Sequence, residues 1–146
     1  MRSLSIVLAL VTLAACSKPA AAPASTPITA AQLPAPTKGL WARSGSQDGG
    51  APTRSTKCMD GKPIDPLDRM AMTCGPMDIR RTATGGFTVD FACAGDRLHL
   101  AGEGDFRKTF TTDASVAKKP EPGAAPVIMR NHSTWTYVGP DCPAPR

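Results

Sequence analysis

The residues best suited to chemistry in this 146-residue chain are its five cysteines. Cys16 lies near the N-terminus, and the other four are Cys58, Cys74, Cys93 and Cys142. In a small exported domain an even number of cysteines indicates disulfides. The four allow three pairings, of which we favour Cys58–Cys74 with Cys93–Cys142. Zinc binding is the alternative, but the sequence has no Cys-x-x-Cys spacing that would indicate it.

Methionines form a second candidate group, beside and between the cysteines. The four are Met59, Met70, Met72 and Met77. Thioether sulfurs are soft ligands that suit copper(I). Met70 and Met72 would point to one side of an extended segment but would diverge on a helix. The simpler interpretation is that these flexible side chains fill gaps in the core.

The chain has two histidines, His99 and His132. Strand alternation sets His99 opposite Leu98 and Leu100, and His132 opposite Trp135. The pattern therefore predicts that both imidazoles face solvent. They would act as a catalytic base or a metal pair only if paired strands brought them together.

No catalytic signature is complete. Ser115 and Lys118 have the Ser-x-x-Lys spacing of penicillin-binding enzymes, but the companion motifs Ser-Asp-Asn and Lys-Thr-Gly are absent from the sequence. The glycines Gly102 and Gly104 lack the third glycine of a dinucleotide loop and favour a bulge or tight turn. We therefore expect neither enzymatic activity nor a cofactor.

The first 15 residues have the pattern of a secretory signal. Arg2 precedes an apolar run over residues 4–13, which is too short to cross a bilayer. The Leu-Ala-Ala-Cys sequence that ends at Cys16 resembles the lipobox of bacterial lipoproteins. That resemblance implies cleavage before Cys16 and acylation of its thiol and its new amine, which would anchor the chain in a membrane. Ser17 stands where lipoproteins of the inner membrane often have Asp, so we expect sorting to the outer membrane, facing the periplasm.

Residues 16–38 are rich in Pro and Ala and nearly uncharged, which predicts an extended tether. The folded domain is expected over residues 39–146. Three of the 17 basic residues precede position 39, which leaves 14 basic against 12 acidic residues in the domain. This balance gives no nucleic-acid footprint.

Alternating hydrophobicity predicts a mainly β domain, a small antiparallel barrel or sandwich stapled by two disulfides. The clearest strand is Phe87–Cys93, with a hairpin arm expected over residues 78–82 and another strand over residues 97–101. Two further sets are expected to share strand faces: Phe106 with Phe110, and Val127 with Met129, Trp135 and Tyr137. One short helix is expected within residues 63–73, because Asp65-Pro66 is a typical helix start.

Taken in order, several landmarks resemble the exported bacterial family called "domain of unknown function 3617". They are Gly39-Leu40-Trp41, Cys58, Cys74, Cys93, the Gly-Glu-Gly-Asp-Phe run at 102–106 and the Val-Gly-Pro-Asp-Cys-Pro run at 138–143. Ala42 departs from the acidic residue expected after Gly-Leu-Trp. The resemblance implies a cysteine-paired domain of the cell envelope and no assigned activity.

These observations predict a non-catalytic lipoprotein module that binds a partner or supports an envelope assembly. Its expected partners are the membrane, through the lipid anchor, and an envelope protein. An inhibitor of an envelope-attacking hydrolase such as lysozyme is one concrete version. The alternative is a periplasmic carrier of copper or a small ligand that uses the Met59 to Met77 segment.

Overall fold

The computed structural model describes residues 25–63, 74–120 and 123–143, and the structural statements below concern these residues. They form eight β-strands and one short 3-10 turn, Ala30–Gln32. The strands are β1 (Thr26–Pro27), β2 (Gly39–Gln47), β3 (Thr53–Met59), β4 (Asp78–Arg81), β5 (Phe87–Cys93), β6 (Asp96–Gly104), β7 (Thr109–Ala117) and β8 (Ile128–Gly139).

All eight strands belong to one antiparallel sheet in the order β1-β4-β5-β6-β7-β8-β2-β3. The predicted mainly β, antiparallel, two-disulfide fold is confirmed, and the sheet is open because its edge strands β1 and β3 are not joined. The short helix expected within residues 63–73 lies, apart from Pro63, outside the described residues. Within the described ranges no helix has the length and apolar character needed to cross a membrane.

The sheet curls strongly about its own concave face. Strands β3 and β6 stand four places apart in the strand order. Even so, Met59 of β3 and Leu100 of β6 line the same cavity. Since neighbouring strands lie about 4.8 Å apart, only curvature brings these two side chains to one space.

The core lies on the concave face and is largely aromatic. Its buried residues are Leu33, Trp41, Ile79, Phe87, Val89, Phe91, Phe106 and Phe110. The alternation predicted for β5 and for residues 97–101 is confirmed, because Leu98 and Leu100 pack against the buried side chains of β5. Trp41 is fully buried, and its indole Nε1 donates to the carbonyl oxygen of Thr37 at 2.8 Å.

Two predicted strand faces are wrong in part. Phe106 is buried, but it lies in the turn after β6 with a φ of 54° and stacks on Phe110 at 5.0 Å between ring centroids. The turn is held by the Asp105 carboxylate, which accepts three backbone N–H groups. Val127 precedes β8 and is 61% exposed, so it does not share the inner face of that strand.

Gly102 has a packing role in β6. It lies directly opposite Phe87 of β5, and a Cβ atom on Gly102 would overlap the Phe87 ring. A glycine inside a strand often marks such a close approach. The predicted tight turn follows at Gly104, whose φ is 133°.

Part of the segment that we predicted to be a tether is packed on the domain. Strand β1 pairs with β4, and Ile28 donates a backbone hydrogen bond to the carbonyl of Ile79 at 2.9 Å. Leu33 and Pro36 are buried. The prediction from composition was wrong for residues 26–38 because two apolar side chains, Ile28 and Leu33, find partners that only the folded sheet provides.

The cysteines pair as Cys58–Cys142 and Cys74–Cys93, so the pairing that we favoured is wrong. Cys58 lies on β3, which pairs with β2, and β2 pairs with β8, directly before Cys142. Cys74 precedes β4, and β4 pairs with the β5 strand that ends at Cys93. The order of the strands in the sheet therefore decides which cysteines pair. This order cannot be read from the distance between cysteines in the sequence.

Candidate ligand-binding site

The concave face has an apolar half and a polar half. Strands β4 to β7 supply most of the buried core. Strands β8, β2 and β3 add polar side chains to the same face, among them Arg43, Asn131 and Ser133. These three strands contain no acidic residue. The inner face is therefore amphipathic, and the charges that these three strands add are all positive.

A cavity of about 650 Å³ opens on this face. Leu100, Phe110 and Trp135 line its apolar wall, with Met59 from the edge strand. This volume lies within the range of small-molecule sites. The cavity therefore has the size and the lining of a site for a small apolar or amphipathic molecule.

Charged side chains line the cavity on the side of β3. Lys57 and Lys62 supply the cations, and Asp60 supplies a carboxylate. Lys62 pairs with Asp60 at 3.3 Å. The backbone amide of Lys62 is the main cause that lowers the pKa of Asp60, so this carboxylate is charged near neutral pH. Within the described chain Lys57 makes no ion pair, and its charge faces the cavity uncompensated.

Trp135 is fixed in place by contacts on three sides. Its ring stacks on Phe110 with 5.7 Å between centroids and 11° between planes. Its Nε1 donates to the Thr112 hydroxyl at 3.2 Å. The Arg43 guanidinium carbon lies 5.7 Å from the ring centroid, a cation–π distance. Phe110, Trp135 and Arg43 thus form one row across strands β7, β8 and β2.

Arg43 is partly buried and bonds only to neutral groups. Its Nε donates to Ser133 Oγ at 2.9 Å, and its Nη2 donates to Asn131 Oδ1 at 3.1 Å. The buried Ser133 hydroxyl also donates to Asn131 Oδ1, at 3.0 Å. These contacts use two of the five guanidinium N–H groups. Among the described residues no carboxylate pairs with Arg43.

The outer face carries the two histidines and the carboxylates of Asp78, Asp90, Glu103 and Asp113. His99 Nδ1 lies 2.7 Å from Asp90 Oδ1, and His132 Nδ1 lies 2.7 Å from Asp113 Oδ1. Both imidazoles are about half exposed, which agrees with the prediction that they face away from the core. A shallow cavity of about 390 Å³ touches both.

The histidines do not lie on paired strands, which was the condition for a base or metal pair. Strand β7 separates their strands, β6 and β8, and each imidazole is bonded to an aspartate instead. Over residues 25–63, 74–120 and 123–143 no three His, Cys, Asp or Glu side chains are grouped so as to hold a metal.

Some of the remaining candidates belong to the cavity or the core, and the others lie outside the described residues. Met59 lines the concave cavity and, like Met77 just before β4, packs on the core. Met70, Met72 and Cys16 fall outside the described ranges. Ser115 belongs to strand β7, so the Ser-x-x-Lys spacing does not open a helix.

No sequence pattern predicted a ligand-binding role for Arg43, Lys57, Thr112 or Asn131. The sequence contains one signal for Arg43. It lies two residues after Trp41, so its charged side chain is on the face of β2 that points toward the core. An inward-facing charge in a strand is a functional hint. The other three required knowledge of the strand order.

Comparisons of this chain with protein-family models, with curated proteins and with solved structures found no match. The resemblance noted from the sequence therefore stays a prediction.

Proposed function

We propose that this protein is a membrane-tethered, non-catalytic module of the bacterial cell envelope that binds a small ligand in the concave cavity. One observation carries the proposal: an aromatic cavity of about 650 Å³ lies open on the inner face of the curled sheet. Large apolar side chains that border open space favour a ligand with an apolar part.

A small ligand fits this surface better than a protein partner. A concave cavity of this size encloses a small molecule. Copper(I) is not favoured either, because among the described residues Met59 is the one thioether that lines the cavity, and Cys58 beside it is held in a disulfide. The proposed ligand is therefore organic.

The place of action that we propose is the periplasmic side of the outer membrane. The lipobox-like sequence ending at Cys16 supports lipid anchoring, and Ser17 supports sorting to the outer membrane. Two disulfides in so small a domain are typical of an oxidising compartment.

Ligand binding is tested with the neutral apolar probe N-phenyl-1-naphthylamine. The chain from Ser17, which contains every described residue, should bind the probe saturably with enhanced probe fluorescence. Met59→Trp should reduce the affinity about tenfold or more, because the larger ring fills the cavity from the edge strand. Val138→Trp is the control, since Val138 is 58% exposed on β8 and does not line the cavity. Absence of saturable binding by the wild-type chain would contradict the proposal.

Anchoring is tested by metabolic labelling with an alkyne fatty acid. The wild-type chain should carry the label and fractionate with the outer membrane. Cys16→Ala should carry no label, and Ser17→Asp should keep the label but move to the inner membrane. Equal labelling of the wild type and Cys16→Ala would overturn the anchor assignment.

A further inference from the structure

The charges at the concave site indicate the chemical class of the ligand, which the apolar lining alone does not. Strands β8, β2 and β3 contribute no acidic residue. Strand register instead directs four carboxylates to the outer face, namely those of Asp78, Asp90, Glu103 and Asp113. The acidic residue at the cavity, Asp60, is already paired with Lys62. Arg43 and Lys57 thus provide positive charge on the inner face without a protein counter-ion there.

The Arg43 guanidinium group is held in one orientation, unlike a mobile cation on the surface. Ser133, Asn131 and Trp135 fix the plane of its guanidinium group. Three N–H groups remain for a further partner. A planar guanidinium of fixed orientation binds a carboxylate or phosphate through paired hydrogen bonds. A partly buried cation without a counter-ion is also unfavourable, and an anionic ligand would relieve that cost.

The two cations are placed beside the apolar wall. Arg43 lies over the Trp135 ring, which lines the cavity together with Phe110. Lys57 lines the cavity from β3, the strand next to β2. A ligand whose chain covers the aromatic wall would therefore bring its head group to these two cations.

Building on the proposed function, we infer that the ligand is a single-chain anionic amphiphile whose acid group binds Arg43 and Lys57. The aromatic wall formed by Phe110 and Trp135, with Leu100, receives the apolar chain. Carboxylate and phosphate head groups share the recognition chemistry, and the experiment separates them.

The test compares three amphiphiles with the same chain, decanoate, decyl phosphate and decanol, as competitors for the bound probe below their aggregation concentrations. For the wild-type chain, one or both anions should compete about 10- to 100-fold better than decanol, as expected for charge-assisted hydrogen bonds. High salt should reduce this preference for the anions. Whichever anion competes better identifies the head group.

Two variants test whether the preference for anions over decanol depends on Arg43 and Lys57. Arg43→Gln should lower the preference for the anions over decanol about tenfold or more, and measuring decanol with the same variant corrects for any change in the aromatic wall. Lys57→Gln, on the exposed edge strand, should lower the preference about threefold or more, and its substitution does not disturb the core. Arg54→Gln is the matched control, because it also removes one positive charge from β3 but lies on the opposite face of that strand.

The outcomes separate this inference from the proposed function. Equal competition by decanol and both anions, with no effect of Arg43→Gln or Lys57→Gln, would overturn the inference and leave the binding function in place. Failure of the wild-type chain to bind either the probe or any amphiphile would overturn both. If Arg43→Gln does not fold, the result with Lys57→Gln decides.

Discussion

Cys58 and Cys142 join the outer edge strand to the segment that follows the last strand, although 84 residues separate them. Their Cα atoms lie 5.8 Å apart. The bond closes a loop that contains six of the eight strands in whole or in part, whereas Cys74–Cys93 closes a loop of only 19 residues. The two disulfides therefore constrain the unfolded chain very differently.

Removal of each disulfide should reveal this difference. A loop-closure model gives a stabilisation of about 4.6 kcal/mol for the long loop and about 3.2 kcal/mol for the short one. We expect the paired substitution Cys58→Ala with Cys142→Ala to lower the free energy of unfolding by about 1 kcal/mol more than Cys74→Ala with Cys93→Ala. Urea unfolding followed by tryptophan fluorescence measures both. A larger loss from the short-loop pair would contradict the expectation.

Leu33 should be a core residue although it lies in a Pro- and Ala-rich segment. It is 5% exposed and belongs to the buried cluster. Leu33→Ala should lower the free energy of unfolding by about 2–4 kcal/mol, which is typical of a cavity made in a core. Ala35→Ser, two residues further on at an exposed position, should change it by less than about 0.5 kcal/mol. Equal stability of the two variants would show that this segment is not part of the folded unit.

Gly102 should not tolerate a side chain. Gly102→Ala places a Cβ atom in the space of the Phe87 ring, and this overpacking should lower the free energy of unfolding by about 1–3 kcal/mol. Gly139→Ala is the control, because a Cβ atom there meets no neighbouring atom within 4 Å. Thermal unfolding of both variants distinguishes the two cases, and a similar Tm for both would argue against the Phe87–Gly102 contact.

Asp105 should contribute to the acid sensitivity of the fold. The backbone amides of Lys108, Thr109 and Arg107 lower the pKa of its carboxyl group below the usual 3.8. A pKa lowered by folding means that the stabilisation is present above the pKa of the unfolded chain and is lost as the pH falls through the folded value.

Asp105→Asn should therefore reduce stability at pH 7 and flatten its decline below about pH 4. Urea unfolding at neutral and acidic pH measures the effect, with Asp141→Asn, an exposed carboxylate after β8, as the control. If the stability of Asp105→Asn declines below pH 4 as steeply as that of the wild type, this carboxylate does not contribute to the acid sensitivity.

The sequence by itself determined the local features of the domain. Alternation of apolar residues marked the strand faces of β5 and β6, because side chains in a strand point to opposite sides with a period of two. The even number of cysteines indicated two disulfides. The placement of both histidines on the outer face also followed from this period, since Leu98 and Leu100 flank His99 with the opposite orientation.

Only the tertiary structure decided which residues from distant parts of the chain are neighbours. Cys58 meets Cys142, and Arg43 lies over Trp135, because β2 is inserted between β3 and β8 in the sheet. Strand order depends on the combined packing of all strands, which a local pattern does not encode. For the same reason, the Pro- and Ala-rich composition led to the wrong prediction that Leu33 belongs to an extended tether. Its burial depends on a surface built from residues far along the chain, and the cationic, aromatic cavity arises only when the sheet curls around it.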